Sequence, residues 1–162
     1  MSPQPSQAQP LPPEIPAVLE STFQRLLAES TFADAWPMPE LADDDEAPLR
    51  CPLQVILPLS SPWKGRILIA GDRETVFDLA AGFHSLPDEM VDEGIALDFL
   101  AEIGGLLARD LFCSVDLPVT LLEPTAPDLA IGRAFWQEER SGRAALGCNG
   151  GRMIAALRSG IV

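Results

Sequence analysis

Residues 96–112 read ALDFLAEIGGLLARDLF, and the interpretation of the whole chain depends on this stretch. Its apolar residues recur at helical spacing, which predicts an amphipathic helix packed on a core. The predicted outer face carries Asp98, Glu102, Gly105 and Arg109. Each glycine of the Gly104-Gly105 pair costs roughly 1 kcal/mol of helix propensity relative to alanine. The pair therefore indicates either close backbone packing or the close approach of a partner.

The length and the charge of the chain narrow its possible roles. Its 162 residues suffice for one domain with a substantial core, and its formal net charge is −13. Nucleic acids and anionic membranes require a basic surface, so neither is an expected partner. No signal peptide is recognisable, and no apolar stretch approaches the roughly 18 residues of a membrane span. We expect a cytoplasmic protein.

The three cysteines and the single histidine do not form a metal-binding pattern. Cys51, Cys113 and Cys148 are far apart, and no pair has ligand spacing. We expect three small buried apolar residues in a reducing compartment and no bound metal. His84 falls near the C-terminal end of a predicted helix, where a helix-terminus role is favoured over that of a catalytic base.

The N-terminal part divides into a tail, a helix and an acidic loop. Residues 1–13 are rich in proline and glutamine and predict a disordered tail, so that a single domain covers 14–162. Helical spacing follows over Glu14–Glu29. Residues 37–48 contain ELADDDEAP and predict an acidic loop. A calcium site there is disfavoured because the glycine and the ligand spacing of an EF-hand are missing.

The remaining segments predict a sheet with helices. Asp72 is a candidate N-cap for a helix, and Asn149-Gly150 between apolar runs is a strong hairpin signal. The predicted strands are 52–59, 63–70, 118–122, 131–136, 143–148 and 152–158. This order of elements favours an α+β domain with a largely antiparallel sheet and helices packed on one face.

Motifs of self-contained catalysis are missing from the chain. It has no nucleophile elbow, no Walker loop and no dinucleotide-binding glycine pattern. Asp98 and Glu102 are spaced i and i+4, which places two carboxylates side by side on one helix face. The same spacing is common on hydrated helix surfaces, so spacing alone leaves both interpretations open.

The central segments resemble the CheX/CheC chemotaxis phosphatase family. WKGRILIAGDRETVFDLAAGF, an acidic connection and DFLAEIGGLLAR follow the family's order of strand, helix, linker and signature helix. The family signature is Asp/Ser-x3-Glu-x2-Asn, with a proline a little over twenty residues later. Here it reads Asp98-x3-Glu102, then Gly105 in place of the asparagine, and then Pro127. The similarity extends from Glu14 to Arg158 and implies a CheX/CheC-like fold.

This resemblance implies a role in two-component signalling. Family members dock onto receiver domains of response regulators and hydrolyse the aspartyl phosphate held there. Glu102 would pair with the receiver's lysine, and the residue at Gly105 would orient water. Asp98, Arg109 and Pro127 would belong to the same partner-binding surface. Mg²⁺ would reside on the phosphorylated partner, so the chain itself needs no cofactor.

Gly105 lacks the side chain that would hold the water, and Arg109 replaces a residue that is often small in the family. We therefore expect a receiver-docking domain with weak or no phosphatase activity. One alternative is an active phosphatase that uses another amide, from Gln54 or Gln137. The other is a noncatalytic scaffold or homodimer joined through sheet edges. The role of the acidic residues 43–46 stays open.

Overall fold

The computed structural model describes residues 12–60, 64–113, 115, 119–138 and 142–159. The predicted disordered tail, residues 1–13, lies outside them apart from Pro12 and Pro13. The described elements, in chain order, are α1 (Glu14–Thr31), β1 (Ala35–Pro37), α2 (Pro39–Ala42), a 3-10 helix (Ala47–Arg50), β2 (Leu53–Ser60), β3 (Gly65–Gly71), α3 (Arg73–His84), a 3-10 helix (Asp88–Met90), α4 (Glu93–Cys113), β4 (Thr120–Leu121), α5 (Leu129–Trp136), β5 (Gly142–Cys148) and β6 (Gly151–Ser159).

The strands form one six-stranded sheet in the order β1-β5-β6-β3-β2-β4. Every pair within it is antiparallel. The predicted hairpin is confirmed: Asn149 and Gly150 take φ values of 50° and 82° between β5 and β6. Positive φ at both central residues is the conformation that Asn-Gly adopts in a two-residue hairpin turn.

The three long helices pack on one face of this sheet. α1, α3 and α4 bury their apolar sides against alternate residues of β2, β3, β5 and β6. The large, fully buried side chains of this layer include Phe23, Phe99 and Phe112. This arrangement confirms the predicted α+β fold with an antiparallel sheet. α4 contacts β2, β3, α1 and α3, so the structure holds it rigidly along its inner side.

The opposite face of the sheet is covered by α5, whose sequence was expected to form a strand. The prediction of a strand over residues 131–136 is wrong, since Leu129–Trp136 is helical. The Asp128 carboxylate accepts a hydrogen bond from the Ile131 N–H at 2.9 Å and caps the helix. Gly132, Phe135 and Trp136 then share the buried side at i, i+3 and i+4.

The acidic loop is more structured than its composition indicates. Residues 35–37 form edge strand β1, which pairs with β5, and residues 39–42 form the short helix α2. A 3-10 helix at Ala47–Arg50 follows and packs against α5. The prediction of one continuous loop over residues 37–48 is therefore wrong, because Leu41 and Ala47 are buried in the core beneath α5.

α3 begins where its sequence predicts. The Asp72 carboxylate accepts hydrogen bonds from the backbone N–H of Thr75 at 3.2 Å and of Arg152 at 2.5 Å. It therefore caps the helix and fastens it to β6. His84 is the last residue of α3, in agreement with its predicted position at a helix terminus.

Gly132→Ala is expected to lower the free energy of unfolding by about 1 kcal/mol. An added Cβ would lie 1.7 Å from Gln54 Oε1, and relieving this overlap costs about 1–3 kcal/mol of stability. The higher helix propensity of alanine offsets about 1 kcal/mol of that cost. Gln54 is buried, and its amide donates to the carbonyls of Pro48 and Cys51 at 3.1 and 3.0 Å. Its side chain therefore cannot easily move aside to make room for the new Cβ. Urea unfolding measures the change. In a Gln54→Ala background the same substitution should no longer destabilise, and an equal loss in both backgrounds would contradict this packing.

Candidate functional site

The predicted signature residues lie along one side of α4. Asp98, Glu102 and Arg109 are exposed, as a solvent-facing stripe requires. With Gly105 included, the four positions are spaced by four, three and four residues, which keeps them within one narrow helical face. Gly105 belongs to this stripe by position but is buried. The expectation that all four residues share an open face is therefore wrong for Gly105.

Leu121 of β4 covers Gly105. A Cβ built at position 105 would lie 3.1 Å from Leu121 Cδ1. Leu121 is held there because β4 pairs with β2, where Leu59 lies opposite it. The glycine thus has no side chain of its own, and a leucine from another element fills the space beside it. No local pattern in the sequence pointed to Leu121, since its position depends on this pairing across the sheet.

The other glycine of the pair, Gly104, lies against the sheet. A Cβ at this position would lie 3.3 Å from Ile69 Cγ1 and 3.6 Å from Leu57 Cδ2. The backbone of α4 therefore approaches the sheet closely at this point. Of the two explanations for the pair, close packing applies to both glycines, with β2 and β3 under Gly104 and β4 beside Gly105.

The charged side chains of the stripe have no partner among the described residues. No ion pair or hydrogen bond engages the side chains of Asp98, Glu102 or Arg109 in that part of the chain. Glu102 and Arg109 are two turns apart, about 10 Å along the helix axis, and form no ion pair. Two carboxylates and a guanidinium therefore face solvent on a rigidly packed helix.

Pro127 lies away from the helix in sequence and is half buried. It follows Thr125, which forms a bridge with Ile56 of β2, and precedes the N-cap of α5. No hydrogen bond or ion pair joins Pro127 to the α4 stripe in the described structure. Its assignment to the partner-binding surface, like that of the four helix residues, stays a prediction.

Three of the acidic residues 43–46, namely Asp44, Asp45 and Glu46, pair with arginines of the chain itself. Arg133 pairs with Glu46 at 2.5 Å, and Arg143 pairs with Asp45 at 3.0 Å. Trp136 Nε1 donates to the Asp44 carbonyl at 2.7 Å. These contacts fasten the acidic segment to α5 and β5, which gives it a structural role. Within the described residues, no group of three or more histidines, cysteines or acids is arranged to hold a metal ion.

An open groove of about 750 Å³ lies between the start of α3 and the β5–β6 turn. Part of its polar lining is engaged within the fold: Asp72 caps α3, and Asn149 Nδ2 donates to Asp78 Oδ2 at 2.9 Å. Gly151 is required there, because a Cβ would overlap Thr75 Oγ1 at 1.6 Å. The groove therefore serves the packing of the hairpin on α3 and leaves the α4 stripe as the candidate site.

The cysteines differ in exposure. Cys51 and Cys148 are buried as expected, whereas Cys113 at the end of α4 is exposed, so the expectation of three buried cysteines is wrong for one of them. Burial raises the pKa of the Cys51 thiol to about 12, and the Asp72 carboxylate adds to the shift. Burial, with Asp78, raises the pKa of Cys148 to about 11.

Iodoacetamide at pH 8 should alkylate Cys113 quickly and the other two thiols only after unfolding. The reactive species is the thiolate, and the raised pKa values of Cys51 and Cys148 keep both thiols protonated at this pH. Intact-mass spectrometry of the native chain should show a single adduct, which peptide mapping assigns to Cys113. Three adducts should appear in guanidinium. Equal rates at Cys51 and Cys113 in native buffer would contradict the burial of Cys51.

Comparison with solved structures identifies the fold. A chemotaxis protein CheX from Vibrio vulnificus matches at a TM-score of 0.64 and 10% identity, over 91% of this chain and 97% of that one. The CheX–CheY complex with BeF3 and Mg²⁺ from Borrelia burgdorferi matches at 0.62 and 15% identity, over 90% and 96%. A CheC-like superfamily protein from Shewanella sp. PV-4 matches at 0.56 and 9%, over 91% and 99%.

At the level of sequence, no protein-family model and no curated protein matches the chain. Within the described ranges, no helix is both long enough and apolar enough to cross a bilayer. The structural matches cover nine-tenths of this chain and nearly the whole of the other. The chain therefore has the fold of the CheX and CheC-like chemotaxis proteins.

Proposed function

We propose that this chain is a CheX-like signalling domain that docks onto the receiver domain of a response regulator and has weak or no phosphatase activity. The observation that carries the proposal is the α4 stripe. Glu102, which the resemblance matches to the family glutamate, is exposed and has no ion pair within the described residues, and Gly105, which the resemblance matches to the asparagine, is covered by Leu121. A structural match that contains CheX bound to CheY supports a receiver as the partner.

The missing amide accounts for the low activity expected. Hydrolysis of an aspartyl phosphate by this family requires little beyond the positioning of one water, since the metal and the phosphoryl group belong to the receiver. Gly105 offers no group to that water, and Leu121 fills the adjacent space with methyl groups. The docking function survives this change, because Glu102 and Asp98 remain exposed.

The alternative of an active phosphatase needs an amide from elsewhere in the chain. In each described glutamine and asparagine the amide nitrogen already donates a hydrogen bond: Gln24 to the Ala35 carbonyl, Gln54 to those of Pro48 and Cys51, Gln137 to that of Asp45, and Asn149 to Asp78. Gln54 Oε1 has no partner among the described residues, but it is buried. Gln54 and Gln137 also serve the α5 side of the sheet, opposite α4. These contacts favour docking without hydrolysis.

The alternative of a sheet-edge dimer or scaffold has less support. The two edge strands, Ala35–Pro37 and Thr120–Leu121, have three and two residues. Short edge strands are poor templates for pairing with another chain, and Pro37 removes a backbone donor from β1. Docking through α4 requires no strand pairing at either edge.

A combined binding and phosphate-release assay tests the proposal. Phosphorylated receiver domains of the CheY type are mixed with the full chain, and both the dissociation constant and the rate of phosphate release are measured. We expect binding of at least one receiver and a release rate unchanged from that of the receiver alone. Accelerated release would favour the active phosphatase. Absence of binding across the panel would contradict docking.

A further inference from the structure

Arg109 lies one turn beyond Gly105 on the exposed stripe of α4. Side chains on a helix lean toward its N-terminus and cover the turn that precedes their own Cα. A long side chain at position 109 is therefore expected to lean over the turn that contains Gly105. The guanidinium can reach the space above position 105, where the family signature has an asparagine.

Arg109 has no acidic partner within the described ranges, although the protein is strongly acidic. The chain has 24 acidic residues, yet no ion pair engages Arg109 in the described part. Six other arginines each pair with a carboxylate of the chain: Arg25, Arg50, Arg73, Arg133, Arg143 and Arg158. An exposed, unpaired guanidinium on the candidate docking face is thus available to an anion that a partner brings.

The guanidinium of Arg109 is suited to binding a phosphoryl group but not to orienting a water for its hydrolysis. Arginine presents five N–H donors in a planar fork that matches two oxygens of a phosphoryl group. It has no acceptor, so it cannot take a hydrogen bond from water as an asparagine carbonyl does. A guanidinium above Gly105 can therefore hold phosphoryl oxygens without orienting a nucleophile.

We propose that Arg109 contacts the phosphoryl group of a docked receiver, so that the chain binds the phosphorylated form preferentially and leaves the phosphate in place. This inference rests on the proposed function, receiver docking through α4. It assigns Arg109 as a specificity-determining residue: Glu102 supplies affinity for both receiver forms, and Arg109 distinguishes between them.

Titration calorimetry with the full chain tests the inference. The probes are a CheY-type receiver domain with Mg²⁺ alone and the same domain with Mg²⁺ and beryllofluoride, which stands in for the aspartyl phosphate. We expect the wild-type chain to bind the beryllofluoride form at least tenfold more tightly. Arg109→Gln should reduce this ratio to about one, with affinity for the free receiver within about twofold of wild type.

Two further variants separate charge from structure. Arg109→Lys keeps the charge but loses the planar fork, and should retain only part of the preference. Arg133→Gln, which removes an exposed arginine from the opposite side of the sheet, should leave the ratio unchanged. Thermal unfolding of each variant verifies that the fold is intact.

The outcomes distinguish this inference from the proposed function. If the wild-type chain binds neither receiver form, or if Glu102→Ala leaves binding unchanged, docking through α4 fails and the inference fails with it. If binding depends on Glu102 but Arg109→Gln keeps the tenfold preference or weakens both forms equally, the role of Arg109 is overturned and docking stands.

Discussion

Gly105→Asn combined with Leu121→Ala is expected to raise the rate of phosphate release from a phosphorylated receiver by at least tenfold. The asparagine restores an amide that accepts a hydrogen bond from water, and orienting a nucleophile for in-line attack lowers the barrier by removing part of its entropic cost. The alanine is needed because a Cβ at position 105 already lies 3.1 Å from Leu121 Cδ1. Gly105→Asn alone should gain less, since its amide competes with Leu121 for space.

The matched control for this prediction is Gly105→Ala combined with Leu121→Ala. It opens the same space and adds the same Cβ but carries no amide, so phosphate release should remain at the wild-type rate. The rate is measured at saturating receiver, and the dissociation constant is measured separately for each variant. If the asparagine variant binds as well as wild type and still shows no gain, Gly105 does not occupy the position of the family asparagine.

Glu102→Ala is expected to weaken receiver binding at least tenfold, which corresponds to about 1.4 kcal/mol. Glu102 is exposed and has no ion pair with any described residue, so binding breaks no ion pair in that part of the chain. Truncating one partner of a charge pair that becomes buried in an interface leaves the other charge uncompensated, and this raises the dissociation rate. Titration calorimetry or surface plasmon resonance provides the comparison.

Glu29→Ala is the control for Glu102→Ala, because Glu29 is an exposed carboxylate on α1 and lies outside the stripe. Its removal should leave the dissociation constant unchanged. Glu102→Gln keeps the size and loses the charge, so it should resemble Glu102→Ala if pairing with a receiver lysine supplies the affinity. An unchanged constant for Glu102→Ala would favour the scaffold interpretation.

The elements predicted correctly carry strong local signals. The hairpin around Asn149-Gly150 has residues that tolerate positive φ, and Asp72 has the side chain that caps α3. α4 shows sustained helical periodicity, although the helix begins three residues earlier than predicted and ends one residue later. In these places a few neighbouring residues suffice to specify the backbone.

The prediction failed where a short apolar run is ambiguous. Residues 131–136 contain isoleucine, phenylalanine and tryptophan, which favour strands when they occur together. The residues of this run that are buried, Gly132, Phe135 and Trp136, follow a helical period instead, and Ile131 is exposed. The Asp128 cap was the local signal that could have indicated a helix. Short runs of this kind cannot be assigned by periodicity alone.

Two features of the site depend on contacts that are distant in sequence. Leu121 covers Gly105 because a two-residue strand pairs with β2, and no local pattern specifies that register. The ion pairs of residues 43–46 likewise involve Arg133 and Arg143, which are far along the chain. The sequence therefore identified the stripe on α4 but not the residue that closes part of it.

Carboxyl footprinting of the full chain with and without a saturating receiver domain tests docking through α4 most directly. A carbodiimide and an amine label exposed carboxylates, and mass spectrometry measures each site. We predict that labelling of Asp98 and Glu102 falls severalfold in the complex, while that of Glu29 and Asp34 stays unchanged. Docking through α4 would be contradicted by a complex in which Asp98 and Glu102 are labelled as in the free chain and Asp34, beside edge strand β1, is protected.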